Sequence, residues 1–248
     1  MSLVRAELRK LLGLRTAWVG MVAGLVAAPA LVFVNAPATR RALADGTWGD
    51  PSDLGFQSLG IGLLGAMILG VVAVSSEYTS TGEDSPDGRQ LITTLTAAPR
   101  RHRLLAAKGA ALTLVVAVQG TLTAVATLGL VEMVHGAAIP SPAPARVAGA
   151  VLYWVLLGLL AYAITLIFRN GVVTLTVLIV NSSMVSVSYL LTKVTPLAAY
   201  LPDIVGAHMF LRDVGDVRIA PVTAGLVMTA WVAALLGLAA WLFQRRDA

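Results

Sequence analysis

Six stretches of this 248-residue chain run without a single Asp, Glu, Lys or Arg, near residues 17–36, 56–76, 110–131, 147–168, 171–191 and 221–243. A helix of about 20 apolar residues crosses the roughly 30 Å of hydrocarbon in a bilayer, and a charge at its middle costs about 2.5–3.5 kcal/mol on insertion scales. The spacing therefore predicts an all-α polytopic membrane protein with six transmembrane helices in a single domain, 1–248.

Only 12% of the residues are charged and 57% are hydrophobic, where a soluble domain carries about a quarter charged residues. So few charges would leave large apolar patches on a water-facing surface, which excludes a soluble globular protein, and the same hydrophobicity excludes a disordered one. Cysteine is absent, which removes disulfides, thiolate metal sites and cysteine nucleophiles. The three histidines, His102, His135 and His208, are far apart and suggest no metal site.

A net charge of +5 raises the question of nucleic acid, and the placement of the basic residues answers it. Twelve fall on one set of segments: Arg5, Arg9, Lys10 and Arg15 before the first span, Arg89, Arg100, Arg101, Arg103 and Lys108 in the second connection, Arg169 in the fourth, and Arg245 and Arg246 in the tail. Six fall on the other set: Arg40, Arg41, Arg146, Lys193, Arg212 and Arg218. Basic residues are retained in the cytoplasm, so both termini are expected there, in a plasma-membrane protein. Bases that alternate across a membrane form no nucleic-acid face. The first span also has a rival reading as a secretory signal, with Ala36-Pro37-Ala38 as a cleavage site. Against it stand the charged stretch with Glu7 before the span, the length of the apolar run and the five spans that follow.

Residues 2–16 place Val4, Leu8, Leu11 and Leu12 on one helical stripe and Arg5 and Arg9 on the other side, the pattern of an interfacial amphipathic helix. A plain topology-setting leader would share its charges. The longest connection, 77–108, has a polar first half broken by Gly82, Pro86 and Gly88. A short helix through Leu91 to Leu95, interrupted by Pro99, and a basic amphipathic piece after it are expected to follow. It suits docking on a soluble partner; a solvated loop anchored by positive charge is the simpler alternative.

Glu77-Tyr78, Gly88-Arg89-Gln90, Leu95, Pro99-Arg100-Arg101 and Ala107-Lys108, in this order, resemble the cytoplasmic loop of ATP-binding-cassette permeases of the type-2 exporter group, closest to actinobacterial members. The resemblance extends through the six-span plan and the basic N-terminal helix to Tyr200-Leu201-Pro202-Asp203 and Gly206. One departure is a longer Asp/Ser/Gly stretch after Glu77-Tyr78. The resemblance implies a permease subunit, with ATP and Mg bound by a separate ATPase subunit and a second permease chain completing the exporter. The chain itself has no G-x-x-x-x-G-K-[ST] phosphate loop and is expected to hold no cofactor, no metal and no catalytic residue of its own. Gly20-x-x-x-Gly24 and Ala66-x-x-x-Gly70 offer stripes for close helix packing, either between two chains or within one.

On this reading Glu77, Tyr78, Gln90, Leu91, Ile92, Leu95, Pro99, Arg100, Arg101, Arg103 and Lys108 form the ATPase-docking loop. Glu77 is expected to pair with an arginine of the 100–103 group or of the N-terminal helix. In the fifth span Thr174, Asn181 and Ser188 recur every seven residues, with Ser182, Ser183 and Ser186 beside them, and Gln119 lies in the third. Such polar residues face protein or a water-filled path, so they either line a substrate route or join helices. Residues 192–220, with Pro196, Pro202 and Gly206, form an extracellular or re-entrant segment. Two other functions compete: a non-transporting scaffold or immunity protein, and an intramembrane enzyme, for which H-E-x-x-H, G-x-S-x-G and intramembrane acids are all lacking.

Overall fold

A computed structural model describes residues 3–76, 101–136, 139–182, 187–212, 214 and 217–246. Its helices are α1 (Leu3–Gly13), α2 (Arg15–Ala44), α3 (Phe56–Ser75), α4 (Arg101–His135), α5 (Pro144–Phe168), α6 (Gly171–Ser182), α7 (Val187–Thr192), α8 (Pro202–Ala207) and α9 (Pro221–Arg246). Short 3-10 turns occupy Pro51–Asp53 and Pro196–Tyr200. Among the described residues five helical segments are long and apolar enough to cross a membrane: Arg15–Ala44, Pro51–Ser75, His102–His135, Pro144–Phe168 and Pro221–Phe243. The chain is an all-α, multi-pass membrane protein. The expected fifth span, 171–191, is described as α6 and α7, with 183–186 between them outside the described residues.

Two helices outrun their apolar cores. α2 continues past residue 36 to Ala44, and α4 begins at Arg101, before the expected start near 110. Charge ends the hydrocarbon-compatible stretch without ending the helix, because backbone hydrogen bonding continues wherever water or a partner can satisfy the side chains. Arg40 illustrates this: its guanidinium donates to the Val134 carbonyl of α4 at 3.0 Å. Pro29 and Pro37 are carried inside α2.

Helices α3 and α5 form the packed centre, with Leu59, Ala66, Leu69, Trp154, Ala161 and Tyr162 almost wholly buried. α2, α4 and α9 surround them and turn large apolar side chains outward, among them Val19, Phe33, Val34, Val125 and Leu226. In lipid these faces carry no hydrophobic penalty, so contact among the helices depends on close fit and hydrogen bonds. The small-residue stripes supply that fit within the chain. A methyl added at Gly65 of α3 would lie 2.6 Å from the Gly24 Cα of α2, and one at Gly70 would meet Ala161 of α5 at 2.9 Å.

The turn between α5 and α6 is two residues long. Arg169 takes a left-handed conformation (φ 54°) and closes α5 through its amide on the Thr165 carbonyl. The Asn170 side chain then accepts from the amides of Val172 and Val173 (3.0 and 3.1 Å), capping α6. α6 therefore runs back along the bundle toward the end that holds Pro51–Asp53 and α8. That end is called the far end below, and the end holding α1 the near end.

Candidate functional site

The far end is closed by a polar knot around Arg146, near the start of α5. Its guanidinium is ion-paired with Asp53, donates to the carbonyls of Ser52 (2.8 Å) and Phe210 (2.9 Å), and lies 4.2 Å over the centre of the Phe56 ring. Asp53, 1% exposed along its side chain, also accepts from the Arg212 amide at 3.0 Å. One charge pair thus ties the α3 entrance, the start of α5 and the 210–212 segment. The planar fork of an arginine makes this many directed contacts possible. Asp50 caps the Pro51–Asp53 turn; hydrogen bonds from the Ser52 hydroxyl and amide, helped by Arg212, hold its carboxyl below the ordinary range. His208 extends the knot, with ring nitrogens 3.0 Å from the Ile204 carbonyl and 2.8 Å from that of Val217.

Beside the knot a cavity of about 500 Å³ opens among α3, α5, α6 and α8. Ile61, Leu64, Met67 and Ile179 give it an apolar wall, and Gln57, Tyr153, Asn181 and Asp203 bring polar groups to it. Its volume is in the range of drug-sized ligand pockets, which are mostly apolar with a few orienting polar groups. The local packing is tight behind it: Phe210 stacks on Tyr153 at 5.9 Å, and the Tyr153 hydroxyl donates to the Asp203 carbonyl at 3.3 Å. Gly206 is required where α8 crosses the Tyr153 ring, because any side chain there would overlap it.

At the near end Lys108 of α4 donates to Glu7 of α1 at 2.8 Å, with both side chains less than a tenth exposed. Lys108, expected at the docking surface, is therefore turned inward onto α1. On α1 itself Leu11 is buried and Leu8 half-buried, Leu12 lies outward, and Arg5 and Arg9 are exposed. Arg103 is exposed. Glu77, Tyr78, Gln90, Leu91, Ile92, Leu95, Pro99 and Arg100 lie outside the described residues, as do Ser183 and Ser186; Arg101 and Ser182 are placed only as helical backbone.

The remaining route candidates separate. Gln119 is buried between helices, donating to the Gly20 and Met21 carbonyls of α2 at 3.0 and 3.1 Å, and Thr123 one turn on donates to that of Gly24 at 3.2 Å. Thr174 is buried with its hydroxyl on the Asn170 carbonyl of its own helix. Ser188 donates to the Asn181 side chain at 3.2 Å, joining α7 to α6, and of these candidates only Asn181 lines the far-end cavity.

Sequence reading took Asp53 and Arg146 as topological charges and passed over Tyr153. One signal was available: two opposite charges flanking different spans at the same membrane end, each adjoining an apolar run. Among the described residues no group of His, Cys, Asp or Glu is arranged to hold a metal. The chain matches no protein-family model, and comparison with curated proteins and with solved structures gives no match either.

Proposed function

We propose that this chain is the membrane-spanning permease half of an ATP-driven exporter for a hydrophobic or amphiphilic substance. The observation that carries the reading is the far-end cavity: an apolar wall with a few polar groups, set among membrane helices rather than in a water-soluble domain. Three features support it. The charge bias puts both termini and the 77–108 loop in the cytoplasm, the cavity end faces outward on that orientation, and the loop residues resemble those that receive an ATPase in type-2 exporters. The scheme assigns the remaining crossing of the six expected ones to the stretch 171–191, which contains α6 and begins α7.

In this scheme the chain's own residues bind and orient the substance while the partner ATPase, holding ATP and Mg, supplies the energy. The loop transmits the motion of the partner into α3 and α4, the helices that flank it in sequence. α3 lines the cavity through Ile61, Leu64 and Met67, so movement at the loop reaches the site along one rigid element. A second permease chain completes the exporter.

The test is reconstitution of the chain in lipid with the ATPase encoded beside it, followed by ATP hydrolysis across a panel of apolar compounds. Stimulation by some compounds, lost on filling the cavity with Ile61→Trp, is the expected result. A chain that purifies without an ATPase, and whose membrane function is indifferent to Ile61→Trp, would instead be a scaffold.

A further inference from the structure

A smaller cavity, of about 130 Å³, lies at the same end between α2, the start of α3 and the last residue of α4. Asn35 and Thr39 of α2, Gln57 and Ser58 of α3, Trp48 and His135 bring hydrogen-bonding groups to it, and no described residue that lines it is Asp or Glu. Backbone bonds place the indole. Past the end of α2 the amides of Thr47 and Trp48 both donate to the Ala42 carbonyl, at 2.9 and 3.1 Å, which folds Trp48 back toward the helix. The Trp48 Nε1 is buried and meets no acceptor among the described residues. Buried donors are ordinarily paired, so this one calls for an acceptor. Positive charge stands beside the cavity as well: Arg40, next to Thr39, donates to the Val134 carbonyl at 3.0 Å, which sets its guanidinium near His135, and Arg41 is exposed.

We propose that this smaller cavity holds the phosphate head of a phospholipid from the leaflet at the far end. Depth, size and charge each point to that occupant. Arg40 marks the edge of the hydrocarbon on α2, and tryptophan gathers at membrane interfaces, so the cavity lies at head-group level. Its volume is well below the roughly 300–1,000 Å³ of drug-sized pockets, so a phosphate enters and the acyl chains stay outside. A surface for those chains adjoins it, since Phe33 and Val34 of α2 are 70% and 71% exposed. Phosphodiester oxygens only accept hydrogen bonds, and the Trp48 indole with the Thr39 and Ser58 hydroxyls can donate them. Arginine pairs with phosphate through parallel N–H bonds, and the Val134 carbonyl takes one of the five donors of Arg40. The inference is independent of what the chain transports.

The experiment titrates the full chain in maltoside detergent with didecanoyl phosphatidylglycerol and with didecanoylglycerol, which differ in the phosphoglycerol head alone, and reads bound lipid by native mass spectrometry. The phospholipid is expected to bind about tenfold tighter, the discrimination that charge-assisted hydrogen bonds supply. Trp48→Phe keeps a ring and removes the N–H; it should weaken the phospholipid several-fold and leave the diacylglycerol unchanged. Thr39→Val should act in the same direction and decides the matter if Trp48→Phe fails to fold. Equal binding of the two lipids to the unmodified chain overturns the proposal. A preference undiminished by either substitution puts the head group elsewhere on the protein and overturns the site. Inorganic phosphate, titrated alone, separates the two sources of a phosphate: it should bind far more weakly than the phospholipid, and binding as tight as that of the lipid would make the free ion the occupant and overturn the lipid.

Discussion

The two ends of the bundle are each fastened by a buried ion pair, and the pairs are built differently. At the far end Arg146 meets Asp53, two backbone carbonyls and an aromatic face, and Asp53 in turn holds a third segment through the Arg212 amide. At the near end an ammonium, a compact charge on a flexible stem, meets a carboxylate on an eleven-residue terminal helix. The first arrangement fixes a geometry. The second joins two helices, at the end that carries the 77–108 loop of the proposed permease. The far end is where a preformed cavity needs walls that stay in place.

The contrast fails first at Arg146. Removing one partner of a buried pair leaves the other charged and desolvated, at about 3–5 kcal/mol. Arg146→Ala should therefore lower the stability of the whole bundle in detergent by about that much, seen as a large fall in the thermal midpoint. Arg146→Lys should rescue little, because an ammonium cannot serve Asp53, the Ser52 and Phe210 carbonyls and the Phe56 ring together. Reversing the pair, with Asp53→Arg and Arg146→Asp, should be as damaging as the single change. A stable double reversal would show that charge, and no specific geometry, holds the far end.

Lys108→Ala should behave otherwise. It leaves Glu7 in a buried site, and local opening of the short α1 would return that carboxylate to water, so the loss should be capped by the cost of that opening, below the global stability. Hydrogen exchange should rise across residues 3–13 with little change in the midpoint of the rest. The reversal Glu7→Lys with Lys108→Glu should recover part of that protection, since the two residues are coupled and their changes do not add. Global destabilisation by Lys108→Ala would make the near end a clamp of the same kind as the far one.

How far these ends could be read from the sequence follows from what each depends on. The span-length apolar runs declare themselves because lipid imposes a composition on every long element it surrounds, and α3 and α5 appear where their runs predict. The helix ends do not, since Arg40 and Arg101 mark the edge of the hydrocarbon while the backbone ladder runs past them. The polar partners were hidden for another reason. Gln119 reads as a route residue or as packing until its amide is seen on α2, and Asp53 and Arg146 stand 93 residues apart in the chain. Only the packed bundle puts them side by side. The spacing of Asn181 with Thr174 and Ser188 marked a polar stripe but left lining and packing open, and Asn181 both joins α7 and borders the cavity; Tyr153, aromatic in an apolar run, gave no signal.

The smallest effect separates the rim of the far end from its buried centre. Asp50 sits at the surface of the knot, where hydrogen bonds from the Ser52 hydroxyl and amide, with Arg212 nearby, depress its pKa below the ordinary 3.8. A carboxyl with a lowered folded-state value binds its proton more weakly in the folded chain than in the unfolded one. Its contribution is therefore complete above 3.8 and lost as the pH falls below that through the folded value. Subtracting the acid titration of stability of Asp50→Asn from that of the unmodified chain should leave a small step confined to this acid window. Arg212, 59% exposed along its side chain, adds to the depression through water, so part of the step should shrink in salt. The Ser52 hydrogen bonds, being local, should resist it. Ser52→Ala would then remove the larger part by deleting the hydroxyl while the amide remains. A step that vanished wholly in salt would transfer the rim to long-range electrostatics and confine the directed geometry of the far end to Arg146 and Asp53.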